Sequence, residues 1–164
     1  MISNLSWRLA ELTDSDFEDF YRIKADLENI KWGGFTCPPE KNSFRIWYES
    51  QIIETTREIY LVFLDITCVA FFYIDYKNDG HFLVPSGVLT EYTRRGIGTY
   101  IIEESDKIAK NKGYSIHEAW CSDQNVGSVK RFQKLGYTKT EEYDIRNLPL
   151  LGGDHKYYKW IKNI

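Results

Sequence analysis

Two arginines and two glycines within six residues, Thr93-Arg94-Arg95-Gly96-Ile97-Gly98, make the segment best equipped for chemistry in this 164-residue chain. Val88-Leu89-Thr90-Glu91-Tyr92 precedes it as the end of a strand, and the amphipathic run Thr99 to Lys112, closed by Gly113, follows it as a helix. Glycine lets the backbone approach a ligand closely, and the first N–H groups of a helix have no intrahelical partner. Those donors, the helix dipole and the two guanidinium groups favour an anion at one point. A diphosphate matches that set of donors.

Two familiar phosphate motifs are excluded. A Rossmann turn needs a third glycine where Ile101 stands and an acidic residue closing a second strand, and a Walker A loop needs Gly-Lys-Ser/Thr, which is absent. Cys37, Cys68 and Cys121 are odd in number and widely spaced, and no ligand spacing joins them to His81, His117 or His155. The expectation is reduced thiols, a cytoplasmic protein and no metal.

The elements that must position the turn follow from periodicity. Trp7 to Leu12 reads as a first strand. Thr13 caps a helix whose apolar residues are Phe17, Phe20, Tyr21 and Leu27. A loop from Asn29 to Pro39 leads to a second helix with Phe44, Trp47, Tyr48 and Ile52 on one stripe. Ile59 to Leu64 and Cys68 to Tyr76 are β-rich, turning at Asp65, and Asn78-Asp79-Gly80 turns the chain into His81 to Leu89. Pro85-Ser86-Gly87 inside that strand predicts a bulge or splay. Ile116 to Cys121 is a strand, Asn125 to Leu135 a helix ended by Gly136, and Tyr137 to Ile145 and His155 to Ile161 are the last strands. The reading is one mixed α/β domain spanning residues 1–164.

Composition narrows the partners. A net charge of −3 argues against a nucleic-acid binder, which needs a basic stripe. The longest apolar run, Ile59 to Leu64, is too short to span a membrane, and the N-terminus lacks the pattern of a signal peptide. Five Trp, twelve Tyr and nine Phe are plentiful: part of them fills the core, and they also supply material for the walls of a small-molecule pocket.

Together the residues resemble the GNAT superfamily of acetyl-CoA-dependent N-acetyltransferases. The family's turn, Gln/Arg-x-x-Gly-x-Gly/Ala, is matched by Thr93 to Gly98, and its lead-in Val-x-Pro-x-Tyr by Val88 to Tyr92. Its second motif, Asn-x-x-Ala/Ser-x-x-x-Tyr-x-Lys-x-Gly-Phe/Tyr, is matched by Asn125, Ser128, Phe132, Lys134, Gly136 and Tyr137. The resemblance covers about Arg57 to Tyr143. It implies a GNAT fold, with a mixed sheet of about seven strands, four flanking helices and a splay between the fourth and fifth strands.

The resemblance also implies roles. Backbone N–H groups of Arg94, Arg95, Gly96, Ile97, Gly98 and Thr99 would cradle the coenzyme A diphosphate, with the two arginines adding charge. Val88, Leu89 and Thr90 would line the pantetheine arm, and the Val88 N–H would polarise the thioester carbonyl. Asn125 would bond the arm or simply cap its helix. Lys134 would reach the outer phosphates or stay solvated.

Three departures bear on mechanism. Thr93 replaces Gln/Arg, which a turn working through backbone donors tolerates. Phe132 stands where many relatives hold a proton-donating Tyr, and Phe82 where some hold a basic Glu. A base must then come from elsewhere. Strand alternation puts Glu118 and Trp120 on one face, and Trp120 holds a position that in related enzymes faces the acceptor. Glu118 is the first candidate base, or else an ion-paired strand carboxylate, and His155 is the second.

Trp32, Phe35, Trp47, Tyr48 and the Leu148 to His155 stretch would supply acceptor walls. The expected reaction is direct attack, in a ternary complex, by a primary amine of an amino sugar, amino acid or polyamine. Two alternatives stand beside it. One is a peptide or protein amine, since Gly152-Gly153-Asp154 resembles a hairpin of some protein acetyltransferases. The other is an acyl-CoA-binding module without catalysis. Homodimers are common in the family.

Overall fold

The computed structural model describes residues 4–54 and 57–164. In chain order the elements are β1 (Leu5–Leu9), α1 (Asp14–Lys24), α2 (Leu27–Trp32), α3 (Lys41–Ile52), β2 (Arg57–Leu64), β3 (Thr67–Tyr76), β4 (His81–Leu83), β5 (Ser86–Val88), α4 (Ile97–Asn111), β6 (Ile116–Ser122), α5 (Val126–Lys134), β7 (Thr138–Leu148) and β8 (Gly153–Asn163). Short 3-10 turns occupy Thr90–Tyr92 and Pro149–Leu151. The sheet runs β1-β2-β3-β4-β6-β8-β7, with β5 also paired to β3. Every pairing is antiparallel except that of β4 with β6.

Strand periodicity divides the core. On β2 and β3, Ile59, Leu61, Phe71 and Tyr73 meet Phe17 and Phe20 of α1 and Tyr48 of α3. The alternate residues Tyr60, Val62, Phe72 and Ile74 meet Ile97 and Ile101 of α4. Further along the sheet, Cys121 and Trp160 pack with Phe132 of α5 and with Tyr137. Thr13 caps α1 as expected, its hydroxyl accepting from the Asp16 N–H at 3.2 Å.

The mixed α/β architecture agrees with the sequence reading, with three differences. The described residues form eight strands and five helices, because the segment read as a loop from Asn29 begins inside α2. Asp26 starts that helix, accepting from the Glu28 N–H at 3.1 Å, and Leu27 belongs to α2 rather than to the stripe of α1. The single strand expected over His81 to Leu89 is divided into β4 and β5 around Pro85, which has no N–H to contribute to a ladder. The last two strands run longer than expected, to Leu148 and Asn163, with an irregular register between Lys139 and Tyr143.

The division at Pro85 produces the expected splay. β4 holds β6 through His81↔Ile116, Phe82↔His117 and Leu83↔Glu118. Beyond Leu83 the strands part, and β5 pairs with β3 alone through Ala70↔Val88, Phe71↔Gly87 and Phe72↔Ser86.

Candidate functional site

The turn after β5 is built around two left-handed residues, Arg94 (φ 61°) and Gly96 (φ 85°). Gly96 is the N-cap of α4, so the N–H groups of Ile97, Gly98 and Thr99 emerge at the helix start without intrahelical partners. They open into a cavity of about 220 Å3 lined also by Val88, Tyr92, Arg94 and Arg131. Arg95 is not in its wall: its guanidinium donates to the Glu91 carbonyl at 3.1 Å and lies 5.1 Å from the centre of the Tyr92 ring.

Its place is taken by Arg131 of α5, which the sequence reading passed over. Arg131 lies against Gly98, where any Cβ would collide with its guanidinium. One terminal nitrogen donates to Ser128 Oγ at 3.2 Å, while Nε is buried without a hydrogen-bond partner. A buried, unpaired guanidinium nitrogen beside unpaired helix N–H groups is a set of donors that fits a diphosphate.

On β5 the direction of the backbone bonds is decisive. Leu89 N–H donates to the Val69 carbonyl at 2.9 Å, and Tyr73 N–H donates to the Pro85 carbonyl at 2.9 Å. Alternation then turns the N–H groups of Ser86 and Val88 away from β3, toward the gap left by β6. The Val88 carbonyl is anchored by Asn29 Nδ2 at 3.3 Å, and the same nitrogen donates to the Ile23 carbonyl at 2.8 Å. Asp26 reinforces this anchor by accepting from Thr90 N–H at 3.0 Å and Thr90 Oγ1 at 2.6 Å. Helix α2 thus fixes β5. The expected cofactor-facing groups of Leu89 and Thr90 are engaged within the protein: the Leu89 N–H by β3, and the Thr90 N–H and carbonyl by Asp26 and Thr93.

A second cavity, about 770 Å3, lies on the other side of β5 between α2, the following loop and α3. Trp32, Phe35, Phe44, Trp47 and Phe71 give it aromatic walls, Pro85 and Ser86 its floor at β5, and Lys24 a single cation. Trp32, expected to contact the acceptor, lines this cavity. Trp120 lines neither cavity and instead lies 5.9 Å from the Arg146 guanidinium.

Glu118 is almost fully buried and receives Lys77 Nζ at 2.8 Å, His81 Nδ1 at 2.9 Å and Lys159 Nζ at 3.2 Å. Burial alone raises the pKa of a carboxyl group, but these three partners overcome that and bring Glu118 to about 2. Such a carboxylate has little affinity for a proton. His155 is also buried, with Nε2 2.8 Å from the Leu151 carbonyl and Nδ1 3.4 Å from Ser122 Oγ. A carbonyl only accepts, which places the ring proton on Nε2. Neither ring nitrogen is left for the cavity.

Phe82 faces α4, its ring centre 4.5 Å from that of His117, so it lies on the opposite face of the sheet from Glu118 and the larger cavity. Phe132 is buried against Tyr137 and Trp160. Asn125 caps α5, accepting from Ser128 N–H at 3.2 Å, and Lys134 is exposed in the last turn of that helix. Among the described residues no cluster of His, Cys, Asp and Glu could hold a metal, and no helix is long and apolar enough to cross a membrane.

Comparison with known proteins places this arrangement. Residues 11–137 match the model of the acetyltransferase (GNAT) family, well over half of the chain. A stretch of 51 residues is 33% identical to an uncharacterized N-acetyltransferase of Methanocaldococcus jannaschii, covering 31% of this chain and 23% of that relative. The fold matches a spermidine N-acetyltransferase from Vibrio cholerae, solved with CoA and spermine, with a TM-score of 0.85 at 10% identity over 98% of this chain and 96% of the other. It also matches the PaiA N-acetyltransferase from Thermoplasma acidophilum, solved with coenzyme A (TM-score 0.74, 17% identity, 98% and 99% covered). The ribosomal-protein-S18-alanine N-acetyltransferase from Escherichia coli is similar too (0.72, 15%, 98% and 94%). The matched segment holds the whole turn from Val88 to Thr99, the splay and α5, and on that evidence the chain belongs to the GNAT acetyltransferase family.

Proposed function

We propose that this chain is an acetyl-CoA-dependent N-acetyltransferase that moves an acetyl group to a primary amine of a small molecule, by direct attack with both substrates bound. One observation carries the reading. The free Val88 N–H stands on β5 between a cavity whose donors suit a diphosphate and a cavity whose walls suit a small organic molecule.

Arg94, Arg131 and the N–H groups of Ile97 to Thr99 would hold the diphosphate of acetyl-CoA. The pantetheine arm would run along β5, bringing the thioester carbonyl to the Val88 N–H. That donor is held by the β3 ladder and by Asn29, so it need not reorganise as negative charge grows on the oxygen. The acceptor amine would approach from the aromatic cavity, past Ser86. The cavity volume, about 770 Å3, is in the range of small-molecule sites.

Proton handling is assigned to solvent. With Glu118 held near 2 and both nitrogens of His155 engaged, the amine would lose its proton to water before attack. The departing thiolate needs no side-chain acid, because a free thiol already ionises at about 8.5. Glu118 then positions strands rather than moving protons.

The test is a transfer assay with acetyl-CoA against small amines, peptide N-termini and peptide lysines, reading thiol release and the mass of the acetylated product. Acetylated small amines are expected. Products formed only from peptides would assign the cavity to a polypeptide, and acetyl-CoA binding without any product would support a non-catalytic module.

A further inference from the structure

The aromatic cavity holds a cation without a counter-charge. Lys24, the last residue of α1, lines the wall with its Nζ 5.0 Å from the centre of the Phe71 ring and 5.5 Å from that of Tyr73. No carboxylate or carbonyl among the described residues bonds it. The other charges nearby are already engaged. Arg57 donates to Asp75 at 3.0 Å and to Gln51 at 2.8 Å. Glu40, the one carboxylate in the wall, accepts from the Asn42 and Ser43 N–H groups at 3.0 and 2.7 Å as the cap of α3. Asp26 is spent on Thr90 and Glu28.

A lysine ammonium is a strongly hydrated charge, and setting it among aromatic rings without a partner is unfavourable unless something else compensates. Cation–π contact offsets part of that cost. Burial, with a smaller push from Arg57, lowers the Lys24 pKa to about 8, which is the mark of an ammonium lacking a counter-charge.

The position of Lys24 relative to the reacting centre is also informative. The Phe71 ring it covers packs on Gly87, where a Cβ would come within 2.6 Å of Phe71 Cε1. Gly87 adjoins Val88. An acid group on Lys24 and an amine at the thioester would fit one small molecule, with its apolar part against Phe44 and Trp47.

We propose that Lys24 is the anchor for a carboxylate on the acceptor, so that the substrate is an apolar or aromatic amino acid rather than a polyamine or an amino sugar. A polyamine would bring a second cation toward Lys24 with no unengaged carboxylate in the wall to receive it. This assignment rests on reading the cavity as the acceptor site.

The experiment compares one aromatic amino acid with its carboxamide, which keeps the amine and ring and removes the charge. Binding to the CoA-loaded protein is followed by the fluorescence of Trp32 and Trp47, and turnover by acetylated product. Wild type should bind the acid roughly 10- to 100-fold more tightly than the amide, the scale of a charge-assisted bond. Lys24→Met should erase that difference, leaving acid and amide bound alike, and Lys24→Arg should restore part of it. Equal binding of acid and amide by wild type would overturn the proposal. So would a Lys24→Met variant, folded by its melting curve, that slows acid and amide alike, since that would make Lys24 a proton carrier. If the binding preference is present and follows Lys24 but no product forms with either ligand, the anchor stands and the transferase reading falls.

Discussion

At the scale of single residues the account depends on one backbone donor. The ladder bonds between β5 and β3 use Gly87 and Leu89, so Val88→Pro removes an N–H that no protein group needs. The expected result is a kcat lower by about 10²- to 10³-fold with acetyl-CoA binding retained, the loss seen when an oxyanion donor is removed. An unchanged kcat would take Val88 out of the mechanism. The donors of the turn were legible in the sequence because they are local: glycine spacing and helix start lie within six residues. Arg131, Asn29 and Asp26 were not, because they reach their places from α5 and α2, outside the turn, and no local pattern marks them. The one trace of Arg131 in the sequence is Gly98, whose missing side chain makes room for the guanidinium.

At the scale of elements, the splay needs a fixed end as well as an open one. Glu118 supplies it. It lies on the last β6 residue paired to β4, and its hydrogen-bond partners come from just past β3 (Lys77), from β4 (His81) and from β8 (Lys159). Its folded pKa near 2 is below the ordinary 4.5, so the stabilisation is complete above about pH 4.5 and is lost as the pH falls toward 2. Glu118→Gln should lower stability at neutral pH by about 3 kcal/mol, the cost of breaking a buried charge cluster, and the deficit relative to wild type should shrink in acid. Denaturant melts of both proteins at pH 7 and pH 3 check this. A deficit equal at both pH values would mean that ionisation of Glu118 is not what holds the strands.

The elements also show how far periodicity carries. Pro85 announced the break between β4 and β5, since proline lacks the ladder donor, and the alternation of β2 and β3 announced the two faces of the core. Helix α2 was hidden, because six residues are too few to display a stripe and its cap, Asp26, follows directly on the end of α1. Alternation correctly put Glu118 and Trp120 on one face of β6. It could not reveal the three partners around Glu118, which lie 37 to 41 residues away in either direction.

At the scale of the whole molecule, the sheet brings two cavities to opposite sides of one three-residue strand. In the proposed reading, α5 and the turn before α4 form the donor side, within the segment that matches the family model. Helices α1 to α3 form the acceptor side in that reading, with Lys24 and the aromatic walls around one cavity. In the proposed mechanism the turn before α4, completed by Arg131, binds the diphosphate of acetyl-CoA. Calorimetric titration of the protein with acetyl-CoA tests it most directly. Saturable one-to-one binding is expected, weakened by added salt and roughly tenfold by Arg131→Leu. Absence of saturable binding, or an Arg131→Leu variant that binds as tightly as wild type, would contradict it.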